Sequence, residues 1–255
     1  MNILFIGDIV SQPGCNMLRK HLPSLKKQYA VDLVVANGEN SAVGNGILPK
    51  SADFIFDSGV DVITLGNHTF KRREIYDYLD STPNIIRPAN YPKGSYGKGW
   101  CIYDMGRVRV AVINLIGQVY LEPNGCPFET VDSILEQLDT NIILVDFHAE
   151  ATGEKGALGY YLDGRVSAVL GTHTHVQTAD ERVLPNGTGF ITDVGMVGPI
   201  ESVLGVNPKC IVRKMTTHLP TRFEVTNDPC RLDAVLLKID EKTGKCAEIT
   251  RFDLV

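Results

Sequence analysis

Five short motifs hold most of the side chains in this sequence that could bind a cation. They are Gly7-Asp8, Gly38-Glu39-Asn40, Gly66-Asn67-His68, Phe147-His148-Ala149-Glu150 and Gly171-Thr172-His173-Thr174-His175. Each follows an apolar, β-branched run: Ile3 to Ile6, Leu33 to Ala36, Val60 to Leu65, Ile142 to Val145 and Val166 to Leu170. In an open α/β sheet the carboxyl ends of the strands form the ligand crevice. Asp, Glu, Asn and His gathered at that edge make a site for two cations, and two cations imply metal-assisted hydrolysis.

Taken singly, each motif has an ordinary reading. Asp8 suits a turn or a helix cap. Glu39, directly after an apolar strand, is costly unless it is paired or bound to metal; its two oxygens make it the natural bridge between two cations. Asn67 can coordinate through its amide oxygen. His68 is adjacent in sequence and must point elsewhere, which frees it to donate a proton to a leaving oxygen. His148 closes a strand. His173 and His175 are two apart, so an extended segment would project both to one side. Joint occurrence gives these motifs weight, since four of the six histidines lie in them. Outside them, Cys15 in a first helical turn could carry a lowered pKa but reads better as a small buried residue. Lys71-Arg72-Arg73 opens a helix, where the dipole disfavours cations; it reads as a solvated face or an anion contact.

The elements that position these motifs alternate. Strand 2–7 leads to a helix from about Pro13 to Gln28, strand 32–36 to a loop from Asn37 to Gly46, and a second helix runs from Pro49 to a stop at Gly59. Strand 60–65 precedes a helix over 71–80. This rhythm predicts a mainly parallel sheet. Residues 84–100 read as an ordered loop whose Tyr91, Tyr96 and Trp100 could pack or stack on a base. A hairpin at 101–105 and 108–116, a helix near 130–138, strand 142–147, a helix near 154–163 and strand 166–170 follow. A last hairpin pairs 232–239 with 246–253. No repeat or linker interrupts residues 1–255, which predicts one domain.

At 255 residues the chain can bury a large core. A net charge of −5 gives no general reason to expect a nucleic-acid or anionic-membrane surface, so RNA as a partner is unsupported by charge. The six cysteines are scattered without a C-x-x-C pair. No apolar run reaches the ~20 residues of a membrane helix, and no signal peptide is apparent. A cytoplasmic protein with reduced thiols is expected, and a homo-oligomer is compatible with the sequence.

The motifs together resemble the calcineurin-like metallophosphoesterases, and more closely their bacterial YmdB-type phosphodiesterase branch. The resemblance covers nearly the whole chain. Its diagnostic stretches are Gly7-Asp8-Ile9-Val10, Asn37-Gly38-Glu39-Asn40, Gly66-Asn67-His68-Thr69-Phe70, Phe147 to Thr152 ahead of Glu154-Lys155, and Gly171 through Asp180. Val10 stands where the wider superfamily has His, and Glu39 where it has Asp; the branch shares both departures. Lys71 departs from the branch, which usually has an acidic or polar residue there.

The resemblance implies an αββα sandwich of two mixed sheets flanked by helices. It implies one metal on Asp8, Glu39, Asn40 and His175, a second on Glu39, Asn67, His148 and His173, and His68 as proton donor. Iron or manganese is favoured. The implied activity is hydrolysis of a small phosphodiester, 2′,3′-cyclic nucleotides foremost, by a hydroxide bridging the metals. A phosphomonoesterase with the same metals and a nucleotide- or RNA-sensing binding protein are the alternatives.

Overall fold

Strands apolar on both faces belong in a sheet covered on both sides, and the chain builds two of them. The structure is a computed structural model describing residues 1–43, 45–226 and 229–255. The first half contains β1 (Asn2–Ile6), β2 (Asp8–Ile9), α1 (Ser11–Gln28), β3 (Leu33–Asn37), α2 (Pro49–Asp57), β4 (Val62–Thr64), α3 (Tyr76–Ser81), β5 (Ile85–Ile86), β6 (Trp100–Asp104) and β7 (Arg109–Ile116). The second half contains α4 (Pro127–Leu135), β8 (Ile142–His148), α5 (Thr152–Tyr161), β9 (Ala168–Thr172), β10 (Arg182–Val183), β11 (Gly189–Ile191), β12 (Met196–Pro199), α6 (Pro208–Thr217), β13 (Cys230–Ile239) and β14 (Cys246–Leu254).

The first sheet has the order β2-β12-β13-β1-β3-β4-β5, with β14 on β13. Its β1, β3, β4 and β5 run parallel, while β13 is antiparallel to β1, β12 and β14. The second sheet has the order β10-β11-β9-β8-β7-β6, parallel in the middle and antiparallel at both edges. Strand alternation divides the core. Ile3 and Phe5 of β1 pack between the sheets with Val112 and Leu144, while Leu4 and Ile6 face Leu18 of α1 and Ile55 of α2. A third cluster places Ile113 and Val145 against Val131 of α4 and Leu158 of α5.

The layers are therefore helix, sheet, sheet, helix, as the family resemblance implied. The parallel run expected from the β-α rhythm of the first half is β1, β3, β4 and β5; the antiparallel pairs of β13 with β1, β12 and β14 make that sheet mixed. Residues 71–80 split into a 3₁₀ turn (Arg73–Ile75) and α3. The 84–100 loop contributes β5, and its aromatics pack on protein: Tyr91 lies 5.7 Å from Phe70, Tyr96 stacks 5.0 Å from Tyr76, and Trp100 joins the third core cluster. The expected Asn37–Gly46 loop includes Gly44, which lies outside the described residues. Cys15 is buried, and burial raises its thiol to about 12, which removes the reactive reading. Lys71 and Arg73 are exposed, as a solvated face requires, while the Arg72 guanidinium donates to the carbonyls of Val43 and Asn45.

Candidate metal centre

Five strands of the two sheets end on one edge, and their ends carry the predicted residues. Asp8 opens β2; Glu39 and Asn40 follow β3, and Asn67 and His68 follow β4. His148 is the last residue of β8, and His173 and His175 follow β9. The crevice lies across both sheets rather than along one.

Glu39 is at the middle. Its Oε1 lies 3.0 Å from Asn40 Nδ2, 3.1 Å from His68 Nδ1 and 3.2 Å from His148 Nε2. Its Oε2 accepts from the backbone N–H of His68 at 2.9 Å. On one side His148 Nε2 meets Asn67 Oδ1 at 3.0 Å and His173 Nδ1 at 3.1 Å. The ligand atoms of Glu39, His148 and His173 all lie within 4.8 Å of one another. On the other side His175 Nε2 lies 3.3 Å from Asn40 Nδ2 and 3.6 Å from Asp8 Oδ1. The structure brings all eight sequence-predicted residues together.

Hydrogen bonds behind the imidazoles fix which nitrogen faces inward. Thr172 Oγ1 donates to Asp146 Oδ1 at 2.7 Å. With its proton so used, it accepts from His148 Nδ1 at 2.9 Å. His148 therefore holds a hydrogen on Nδ1 and turns Nε2 inward. His175 Nδ1 donates to Leu204 O at 3.1 Å, again leaving Nε2 for the site. His173 is reversed: Nε2 meets the Glu150 carboxylate at 2.9 Å, and Nδ1 faces His148. Such backing partners orient and strengthen metal-ligating imidazoles.

The extended H-x-H geometry expected for His173 and His175 is corrected. β9 ends at Thr172, and the two histidines have φ of +98° and +61°. This left-handed backbone is uncommon away from glycine. The turn holds because Asp8 Oδ2 accepts from His173 N at 3.1 Å and Asp193 Oδ2 accepts from Thr174 N and Oγ1 at 3.0 and 2.6 Å. Lys155, itself buried, completes Asp193 with a 2.8 Å ion pair. Close approach on the facing side needs Gly66, where a Cβ would collide with the His148 imidazole and come 2.5 Å from Glu39 Oε2.

Sequence reasoning missed the backing residues. Asp146 sits inside an apolar strand and joins the sheets: it accepts from Thr64 Oγ1 at 2.5 Å and Asn37 Nδ2 at 3.1 Å as well as from Thr172. Burial raises its pKa to about 6. A carboxylate within an otherwise apolar β8 was the available signal.

Electrostatics at the centre are those of carboxylates short of positive charge. Burial opposes the charged form of His148, but the Glu39 carboxylate outweighs it and lifts the pKa to about 9. Burial, then the neighbouring His148, pushes His173 down to about 3. Burial works against ionised Glu39 and Asp8, yet His148 and His68 hold Glu39 well below the usual carboxylate range, and His175 lowers Asp8. Asp8 Oδ1 is buried with no hydrogen-bond partner. An orphaned carboxylate oxygen, a central carboxylate and inward imidazole nitrogens form the N/O donor set of first-row metals, so the residues fit such ions.

A cavity of about 370 Å³ opens on this centre. Glu39, Asn40, His68, His173 and His175 line it, together with the apolar Leu204, Val206, Phe223 and Val225. The side chain of His68 is 27% exposed and that of His148 is fully buried, so of the two only His68 can meet a ligand directly. No helix among the described residues is long and apolar enough to cross a membrane.

Known proteins share this arrangement of chain. The profile of the family described as YmdB-like protein matches residues 4–252. A 2′,3′-cyclic-nucleotide 2′-phosphodiesterase of Bacillus subtilis (strain 168) is 47% identical over 253 residues, covering 98% of this chain and 96% of that protein. A solved structure described as a hypothetical protein from Thermus thermophilus superposes with a TM-score of 0.95 at 39% identity, covering 100% of this chain and 99% of its own. One described as a novel phosphatase from Mycoplasma pneumoniae gives 0.94 at 33% identity, covering 100% and 93%.

Proposed function

The chain belongs to the YmdB-like protein family, and from that premise we propose that it is a metal-dependent phosphodiesterase acting on 2′,3′-cyclic nucleotides. The observation that carries the reading is the convergence of Glu39, His148 and His173 within 4.8 Å at the ends of strands from both sheets. The activity named for the Bacillus subtilis relative, at 47% identity, supports the substrate class.

On this reading Asp8, Glu39, Asn40 and His175 hold one cation, and Glu39, Asn67, His148 and His173 hold a second, iron or manganese. When bound, such ions offset charge on the phosphoryl oxygens and acidify a water for attack on phosphorus. The rest falls to the protein. Thr172 and Leu204 hold His148 and His175 with the correct nitrogen inward. His68 Nδ1 faces two acceptors, Glu39 Oε1 at 3.1 Å and Asn40 Oδ1 at 3.0 Å. It keeps its hydrogen, and the proton for the departing ribose oxygen comes from Nε2. A neutral leaving hydroxyl is far better than an alkoxide, which is the purpose of a general acid here.

The test is metal analysis of the purified protein together with assays of cyclic diesters and matched monoesters. Metal-loaded protein should favour the diesters, and chelation should abolish turnover while the circular dichroism spectrum persists. Full activity after chelation and dialysis would defeat the reading, and a preference for monoesters would replace it with a phosphatase.

A further inference from the structure

We infer that the apolar wall of the cavity beside the metal centre is the seat of the substrate's nucleobase, and that it accepts bases without reading their edges. The inference rests on the phosphodiesterase reading above and adds where the organic part of the substrate lies.

The wall is one unit carried by residues 203–225. Val203 and Val206 bridge each other, and Asn207 N donates to Glu224 O at 2.8 Å, which sets Val206 beside Phe223 and Val225. Leu204, at φ +53°, aims its carbonyl at His175 Nδ1. The wall is thus keyed to a proposed ligand, at a fixed remove from where the phosphate is handled. Lys214 Nζ lies 4.9 Å from the Phe223 ring centroid, a cation–π contact that helps hold the ring.

Chemistry selects the occupant. Leu204, Val206, Phe223 and Val225 offer no side-chain hydrogen-bonding group and no charge, so this wall suits the face of a flat ring. Glu150, with a side chain 48% exposed, also lines the cavity and would repel a second phosphate. The cavity, about 370 Å³, lies at the small end of ligand pockets, roughly 300–1,000 Å³. A nucleoside with one phosphodiester fits these limits better than an oligonucleotide or a polyphosphate. Stacking on an apolar surface is tolerant of base identity because every base has a π-face.

The experiment compares the 2′,3′-cyclic phosphates of adenosine, guanosine, cytidine and uridine with base-free 1-O-methylribose 2′,3′-cyclic phosphate. It uses metal-loaded wild type, Phe223→Ala and Phe223→Trp, with calorimetric binding of adenosine 2′- and 3′-monophosphate as a second readout. Wild type should treat the four nucleotides within about tenfold of one another. Phe223→Ala should raise KM for them by about 5- to 100-fold, the span of single stacking contacts, while its loss on the base-free ester is several-fold smaller. Phe223→Trp should restore most of the difference, and the monophosphates should bind more weakly to Phe223→Ala alone. Equal losses on nucleotides and the base-free ester, or a preference of over about 100-fold for one base, would overturn the inference. Should no cyclic nucleotide turn over, the phosphodiesterase reading fails, and the monophosphates still decide the wall: binding lost in Phe223→Ala upholds it, and binding absent from wild type or unchanged in the variant rejects it.

Discussion

The hydroxyl of Thr172 stands 2.9 Å from Nδ1 of His148 and can only accept there, because its single proton goes to Asp146. This contact backs Nδ1 of a fully buried imidazole whose Nε2 faces the site.

Thr172→Val keeps the shape of the side chain and removes the acceptor. Loss of such a partner typically costs about 10- to 100-fold in metal affinity. Calorimetric titration of chelated protein with Mn²⁺ should show that loss, and Thr172→Ser should recover most of it. Unchanged affinity in the valine variant would mean that His148 orients without help.

Glu39→Gln should deplete metal more than Asp8→Asn. Glu39 is proposed to serve both cations, and its Oε1 reaches residues on both sides of the centre. Asp8 is proposed to serve one. Metal content per chain, measured by mass spectrometry after identical purification, checks the order. Equal retention would argue against the bridging role.

His68→Ala should retain both metals and turn over cyclic nucleotides about 10²–10⁴-fold more slowly. Nitrophenyl esters leave without needing a proton, so their rates should fall much less. Equal deficits on the two substrate types would remove the general-acid role, and loss of a metal would make His68 a ligand.

The metal-free protein should be most stable near neutral pH. His148 is raised to about 9 in the fold, so its contribution is complete below its unfolded value of ~6.5 and is lost as pH climbs toward 9. His173, depressed to about 3, acts oppositely: the unfolded chain binds that proton first, and stability falls as pH drops below ~6.5. Melting temperatures of chelated protein across pH 5–9 test this. Loaded protein should lose the alkaline decline, because a coordinated Nε2 carries no proton to release. A flat profile for the chelated form would contradict the proton balance assigned to the pair.

Much of this centre was legible in the sequence. Asp8, Glu39, Asn67, His68 and His148 each follow an apolar run, and strand ends are a strong local signal. What escaped was non-local. Nothing near Asp146 shows that Asn37 and Thr64 approach it from another sheet, and nothing near His173 shows that Asp8 and Asp193 hold its backbone at positive φ. The H-x-H spacing misled because alternation presumes an extended chain. The short strands β10 to β12 were missed because two to four residues broken by Gly and Pro carry no periodicity. The division into two sheets came from the family resemblance, since the β-α rhythm spoke only to the parallel run of the first sheet.

Gly66 gives the centre an unusual vulnerability. A single added methyl group, with every proposed ligand, the proposed acid and every backing residue still present, would displace the His148 ring from Glu39. Mutational tolerance here is therefore set by volume rather than by chemistry. Among protein sequences that keep these same donors, a side chain at position 66 would mark a centre in which His148 and Glu39 no longer meet as they do here.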